Sequence, residues 1–404
     1  MRRVVCREAA GQLLFGFPRA VIATAFATMI AFMGIGVVDP ILPVIGHQMG
    51  ASPAQVEMLF TTYIAVMALA MLLSGVLSTR LGGRRTMLLG LLLVIVFATI
   101  SGLSDTVWHL AEARGGWGLG NAFFTSTALA IIVGLSTGGT ARAITLYEMA
   151  LGLGISSGPL IGGLLGSIYW RLPFFGTAVL MAIAFAATYF TVQEPPEREK
   201  PRRARDIFRA LAERNVLTNA LAGLGYSFGF FTILAYSPIY LHLQALPLGL
   251  TYFAWGILVA ISSVFIVNWL RPRVGALPLL QWNLVGFAVL MWGLWMVRGV
   301  FPALGLIVVS GLMCGIANAL FTTVAIEISP FTRSISSGAY NFLRWAGAAV
   351  APVLSGYLDK AFSPQLPFLV AAVVILAADL VLFARRRPMD RVLRAAAAAF
   401  EGEG

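Results

Sequence analysis

The stretch YEMALGLGISSGPLIGG, residues 147–163, returns later in the chain as YNFLRWAGAAVAPVLSG, residues 340–356. Tyr147, Gly154, Pro159 and Gly163 fall on Tyr340, Gly347, Pro352 and Gly356 at a constant shift of 193. The correspondence extends outward. GLGNAFFTSTA (118–128) lies over GIANALFTTVA (315–325), with Asn121 over Asn318, and DPI at 39–41 lies over SPI at 237–239. Matches in the same order at nearly one shift describe an internal duplication. The glycines need a reason of their own, since each weakens a soluble helix interior by roughly 1 kcal/mol and a proline by about 3. Gly154, Gly158, Gly162 and Gly166 recur every four residues within an apolar run. In lipid such a ridge lets a second helix approach closely, and Pro159 is tolerated because neighbouring helices satisfy the carbonyl it frees.

Composition identifies the solvent. Of 404 residues, 59% are hydrophobic and only 11% charged, with a mean hydropathy of +0.87; soluble domains carry about 25% charged residues. Apolar runs long enough to cross a hydrocarbon core of roughly 30 Å recur twelve times. They fall near 20–44, 57–79, 86–104, 107–134, 143–167, 172–193, 215–242, 250–270, 277–297, 301–326, 335–358 and 365–384. The basic residues then sort by loop. Arg171, Arg298 and Lys360 fall on one side, and Arg114 and Arg344 lie within spans. All the others gather on the opposite side, including Arg80, Arg84, Arg85, Arg142, Arg271, Arg273, Arg333 and the loop EPPEREKPRRARDIFRALAERN (194–215). By the excess of arginine in cytoplasmic loops, that side is inside the cell, and so are both termini. The net charge of +11 is thus a topology signal, not a nucleic-acid-binding face. The basic N-terminal arm shows no small-residue cleavage site and reads as uncleaved.

The expected fold is all-α and integral to the cell (inner) membrane: twelve transmembrane helices in two pseudo-symmetric six-helix bundles. Residues 1–193 form the first bundle with its cytoplasmic arm, 194–214 a basic cytoplasmic linker, 215–385 the second bundle, and 386–404 a cytoplasmic tail. Six spans plus six is the arrangement of a transporter that rocks two bundles about a central site. Cys6 and Cys314 lie too differently to pair, and three histidines without a cysteine cluster leave no material for a metal site. No Walker-type loop argues for direct ATP drive, and no paired-His or Ser/Lys constellation argues for an intramembrane enzyme.

On these residues the chain resembles the major facilitator superfamily, in its twelve-helix drug:proton antiporter branch. The loop GVLSTRLGGRR between spans 2 and 3 carries Gly75, Arg80, Gly82, Arg84 and Arg85 at the family's motif positions. Thr79 stands where the family has aspartate, which leaves its cytoplasmic latch without that charge. In span 4, Arg114 takes the family's intramembrane arginine position, with Trp117 where glutamine is common. Gly154, Gly158, Pro159, Gly162 and Gly163 match the motif associated with exporters. The resemblance implies alternating access, a small-molecule substrate, contact with membrane lipid, a single working chain, and no cofactor beyond a proton gradient.

Buried charges in hydrocarbon need a partner or a task. Asp39 and Arg114 sit at depths agreeing within roughly 3 Å at 1.5 Å per residue, and are expected to face one aqueous cavity. There Asp39 exchanges a proton while Arg114 favours its ionised form; the alternative is a static ion pair bracing spans 1 and 4. Glu148 in span 5 is a second proton-coupling candidate, or a residue snorkelling beside Arg142. Arg344, Asn341 and Tyr340 make a polar stripe on span 11 that either faces the cavity or glues helices together. Tyr63, Asn121, Phe124, Tyr147, Tyr236 and Asn318 complete the candidate cavity lining. Glu327 and Asp379 are read as interfacial partners of Arg333 and Arg385, and Glu57, Asp105 and the histidines as solvated loop ends. The function expected is proton-coupled export of amphipathic small molecules or drugs; export of a sugar, nucleoside or lipid, or a non-transporting sensor or scaffold, are the alternatives. The glycine ridge is expected where the two halves meet near the outer face, so that Gly158→Val abolishes transport while the protein stays in the membrane.

Overall fold

The duplication reappears in how the helices pack. The computed structural model describes residues 13–14, 16–136, 140–194, 204–331 and 333–401. After a two-residue antiparallel pair, Leu13–Leu14 with Phe17–Pro18, twelve long helices follow. They are α1 (Arg19–Met49), α2 (Pro53–Leu81), α3 (Gly83–Leu103), α4 (Val107–Leu135), α5 (Thr140–Ile168), α6 (Leu172–Thr191), α7 (Arg214–Leu241), α8 (Ala245–Val274), α9 (Ala276–Met296), α10 (Val300–Glu327), α11 (Arg333–Ala361) and α12 (Leu366–Glu401). A short helix, Ala204–Ala212, lies in the linker. Eleven of the twelve are long and apolar enough to span a membrane by composition alone. The exception, α11, carries Asn341, Arg344 and Asp359. Packed against α2 and α7, it keeps these polar groups among protein neighbours, where an intramembrane helix tolerates them.

Within the first bundle α1 packs on α5 and α6, α2 on α4, and α3 on α4 and α6; six helices later α7 packs on α11 and α12, α8 on α10, and α9 on α10 and α12. The close approaches repeat as well. Gly154 of α5 abuts the Met29 carbonyl of α1, and Gly347 of α11 abuts the Leu224 carbonyl of α7. Gly118 of α4 meets the Tyr63 carbonyl, as Gly315 of α10 meets that of Val259. At each of these points a Cβ would strike backbone, which is why the repeat preserves glycine there.

Two interfaces join the halves: α5 with α8, and α2 with α11. Their named contacts run from Gly152 and Ala260 to Gly163 and Ala245 on one side, and from Thr61 and Ala349 to Ala54 and Gly356 on the other. Both lie toward the ends of these helices remote from the arginine-rich face. The halves are therefore closed at that remote face.

The glycine ridge belongs elsewhere than expected. Gly154, Gly158, Gly162 and Gly166 pack on α1 at Met29, Met33, Val37 and Ile41, inside their own bundle. Among the motif glycines it is Gly163 that meets the backbone of the other half: an added Cβ would stand 2.7 Å from the Ala245 carbonyl oxygen and 3.0 Å from Gly249 Cα. Gly158→Val would thus be pressed against the Met33 carbonyl, 2.6 Å away, and disturb the bundle itself rather than only its motion.

At the arginine-rich face Glu327 pairs with Arg271 at 2.6 Å; the side chain of Arg333, its expected partner, lies outside the described residues. Arg385 donates to Asn215 at 3.2 Å, not to Asp379. Both arginines found partners across a helix boundary that linear sequence separates by dozens of residues. The Arg271–Glu327 pair is about one-third exposed, so Glu327→Gln is expected to cost less than about 1 kcal/mol. Thermal unfolding in detergent and an unchanged transport rate would check this.

Three helices depart from regular winding. α7 passes through a π turn at Thr232–Tyr236 and α8 through another at Ser262–Ile266, while α1 tightens into a 3-10 turn at Asp39–Ile41.

Candidate transport site

The 3-10 turn in α1 has a local cause. Pro40 has no N–H, so the regular helix Arg19–Gly36 ends just before it and leaves carbonyls near its C-terminus free. Arg114 of α4 takes one of them. Its Nη1 donates to the Gly34 carbonyl at 3.3 Å and its Nε to the Leu59 carbonyl of α2 at 3.4 Å. The guanidinium carbon lies 4.3 Å from the Tyr63 ring centre and 4.7 Å from that of Trp117. A buried cation is stabilised by such aromatic faces. Trp117, at the position where glutamine is common in the family, supplies one wall of this cage.

Asp39 is fully buried beside it. The two charges interact electrostatically, yet neither Asp39 oxygen has a hydrogen-bond partner, and one guanidinium nitrogen of Arg114 has none. The static ion pair is thus not formed in this conformation, and neither group opens onto water. The Asp39 turn touches both α5 and α8, with Pro159 of α5 and Asp39 both bordering Gly36. A carboxyl group there sits at the edge of the α5–α8 seam.

The expected cavity lining divides in two. Tyr63 and Asn121 bond each other, Oη to Nδ2 at 2.5 Å, and with Phe124 they are fully buried within the first bundle. Tyr147 stacks edge-on against Phe32, and Tyr340 lies parallel to Phe321; both are buried. Tyr236 is buried with its hydroxyl donating to the Pro364 carbonyl at 2.7 Å. By contrast Asn318, Asn341 and Arg344 keep partial exposure, and Arg344 donates to Asn318 Oδ1 at 2.5 Å. Asn121 and Asn318, equivalent in the repeat, each hold a side-chain partner, the buried Tyr63 in one half and the partly exposed Arg344 in the other. The side chains of Glu148 and Thr79 lie outside the described residues.

In the loop between α2 and α3, Gly82 adopts φ +91°, a conformation that favours glycine. A Cβ there would strike the Glu194 carboxylate at 2.6 Å. That carboxylate accepts from the backbone N–H groups of Gly83 at 2.6 Å and Arg84 at 3.0 Å, capping α3, where the helix dipole favours a negative charge. Arg84 in turn donates to the Tyr189 carbonyl at 2.8 Å. With Arg80 and Arg85 these residues line one pocket at the arginine-rich face. The sequence places Glu194 only in the linker; the signal that marks it is a carboxylate at the end of one span within reach of the glycine-rich start of another. Glu57, whose sequence position reads as a solvated loop end, is instead fully buried with neither oxygen hydrogen-bonded.

A family model described as Major Facilitator Superfamily matches residues 24–352. The chain is 46% identical over 376 residues to the multidrug efflux protein YfmO of Bacillus subtilis, covering 93% of this chain and 95% of that one. It is 23% identical to multidrug resistance protein 1 of the same organism, over 86% of this chain and 91% of the relative. Among solved structures, a bacterial homolog of the human lysosomal transporter Spinster, in an inward-facing and unoccupied conformation, superimposes with a TM-score of 0.74 at 16% identity. It covers 93% of this chain and 97% of its own. The chain is a multi-pass membrane transporter, not an enzyme, and belongs to the major facilitator superfamily.

Proposed function

We propose that the chain exports amphipathic, drug-like molecules from the cell in exchange for protons. One observation carries the export reading: 46% identity to a multidrug efflux protein along nearly the full length of both chains. The proton is supported by Asp39. A buried carboxyl group with no hydrogen-bond donor, next to an arginine held by carbonyls and aromatic rings, changes its preferred protonation state when water reaches it. The arginine-rich face is the cytoplasmic one, so the present conformation is closed to the outside. Since one chain supplies both bundles, a monomer suffices.

The test uses everted membrane vesicles with an acidified interior and a panel of fluorescent lipophilic cations. Accumulation inside the vesicles, abolished by a protonophore, is the expected result. Failure of every cation combined with accumulation of an anionic metabolite would replace this reading with metabolite export, which the partly exposed Arg344 would suit.

A further inference from the structure

At the α2–α11 seam stands a carboxyl group for which the mechanism above has no use. Glu57 lies one turn beyond the N-terminus of α2, which is already capped by Ser52 and Gln55. At that distance the helix dipole has faded. Its side chain is fully buried, its oxygens have no hydrogen-bond partner, and it lies against Gly356 of the opposite half, whose added Cβ would sit 3.5 Å from the carboxyl carbon. The groups around it offer no counter-charge. From α11 comes Asp359, a second carboxyl group. From α7 comes Tyr236, with Tyr240 behind it, while His242 faces Asp359 rather than Glu57. On the α4 side, Arg114 is committed to the Leu59 and Gly34 carbonyls, and His109 and Glu112 are exposed, as is His47 at the end of α1.

An ionised carboxylate in such a place would have no water, the Gly356 backbone N–H as its nearest donor and a second carboxyl group, Asp359, beside it, and a group so placed takes up a proton instead. The neighbours found against it, Gly356, Asp359 and Tyr236, all belong to the other half, so parting of the seam takes them away. We propose that protonation of Glu57 is the condition for the two halves to close at the outer face. When the seam parts, the Glu57 carboxylate is hydrated. When it closes, Glu57 has bound one proton from the outer water, forming the O–H bond of the acid, and on reopening it returns that proton to the same side. Glu57 therefore adds nothing to the transported protons. It ties closure to external acidity, the condition under which an exporter driven by inward protons must turn back toward the cytoplasm. The inference rests on alternating access and on the orientation proposed above.

The experiment measures distances across the seam by spin labels at Gln48→Cys and Phe362→Cys, both exposed positions in opposite halves, with Cys6 and Cys314 replaced by serine. In wild-type protein the labels should move apart as pH rises from about 5 to about 9, spanning the range over which a buried carboxyl group gives up its proton. Glu57→Gln, neutral at every pH, should hold the short distance throughout. A wild-type distance that does not change with pH overturns the proposal without any variant. A Glu57→Gln protein that opens with pH as wild type does also overturns it. Proton-driven export by the wild type, measured separately in vesicles, tests the parent reading and can succeed while this one fails.

Discussion

Gly163→Val should reduce export about fivefold or more while leaving the protein folded in the membrane. The added side chain would meet the Ala245 carbonyl and Gly249 of α8, and backbone does not yield as a flexible side chain does. Overpacking of this kind costs about 1–3 kcal/mol, and every 1.4 kcal/mol changes a population about tenfold. In the proposed alternating-access cycle the cost falls on the conformation described above, in which α5 and α8 meet at this point. The variant should accumulate open to the outside, with the seam labels far apart at every pH. Gly158→Val offers the contrast: its clash lies within the first bundle, so membrane yield should fall along with transport. Export by Gly163→Val within twofold of wild type would remove the seam from the mechanism.

Asp39→Asn should bring pH-gradient-driven export down to the level of empty vesicles. Asparagine keeps the shape of the side chain and stays neutral, so the fold survives and the site still admits substrate. What disappears is the group that can alternate between a proton and the field of Arg114. The measurement is initial-rate accumulation in acid-loaded vesicles, paired with substrate exchange at equal pH on both sides. Exchange retained and driven export lost is the expected pair; full driven export by Asp39→Asn would show that the coupled proton binds elsewhere.

The span positions were legible because crossing a membrane imposes a length and a solvent on every helix, and α5, expected at 143–167, is found at 140–168. The repeat was legible for a related reason, since backbone approaches at Gly154 and Gly347 leave no room for a side chain. What could not be read was which neighbour covers which face. Gly162 and Gly163 are adjacent in sequence but about 100° apart around a helix, and one meets α1 while the other meets α8. Glu57 was hidden for the same reason. Four residues into a span it resembles a solvated end, and nothing in the local sequence announces that Gly356 of the other half lies against it. The residues after Arg385, expected as a separate cytoplasmic tail, instead continue α12 to Glu401, past Pro388 and through an alanine-rich run of high helix propensity.

The winding of α1 and α7 carries a last consequence. A π turn takes in one residue more than an α turn, so everything beyond Thr232–Tyr236 is out of phase by about 100° with the helix below it. That phase is what turns Ser237 toward Tyr252, whose oxygens lie 2.5 Å apart. At the equivalent place α1 is overwound instead, and Asp39 is left unpaired. The two halves share a fold but not a pitch. Rotation of either outer segment by one residue would therefore break a satisfied hydroxyl pair in one half and rehydrate a carboxyl group in the other, so the molecule is symmetric in its architecture and one-sided in its chemistry.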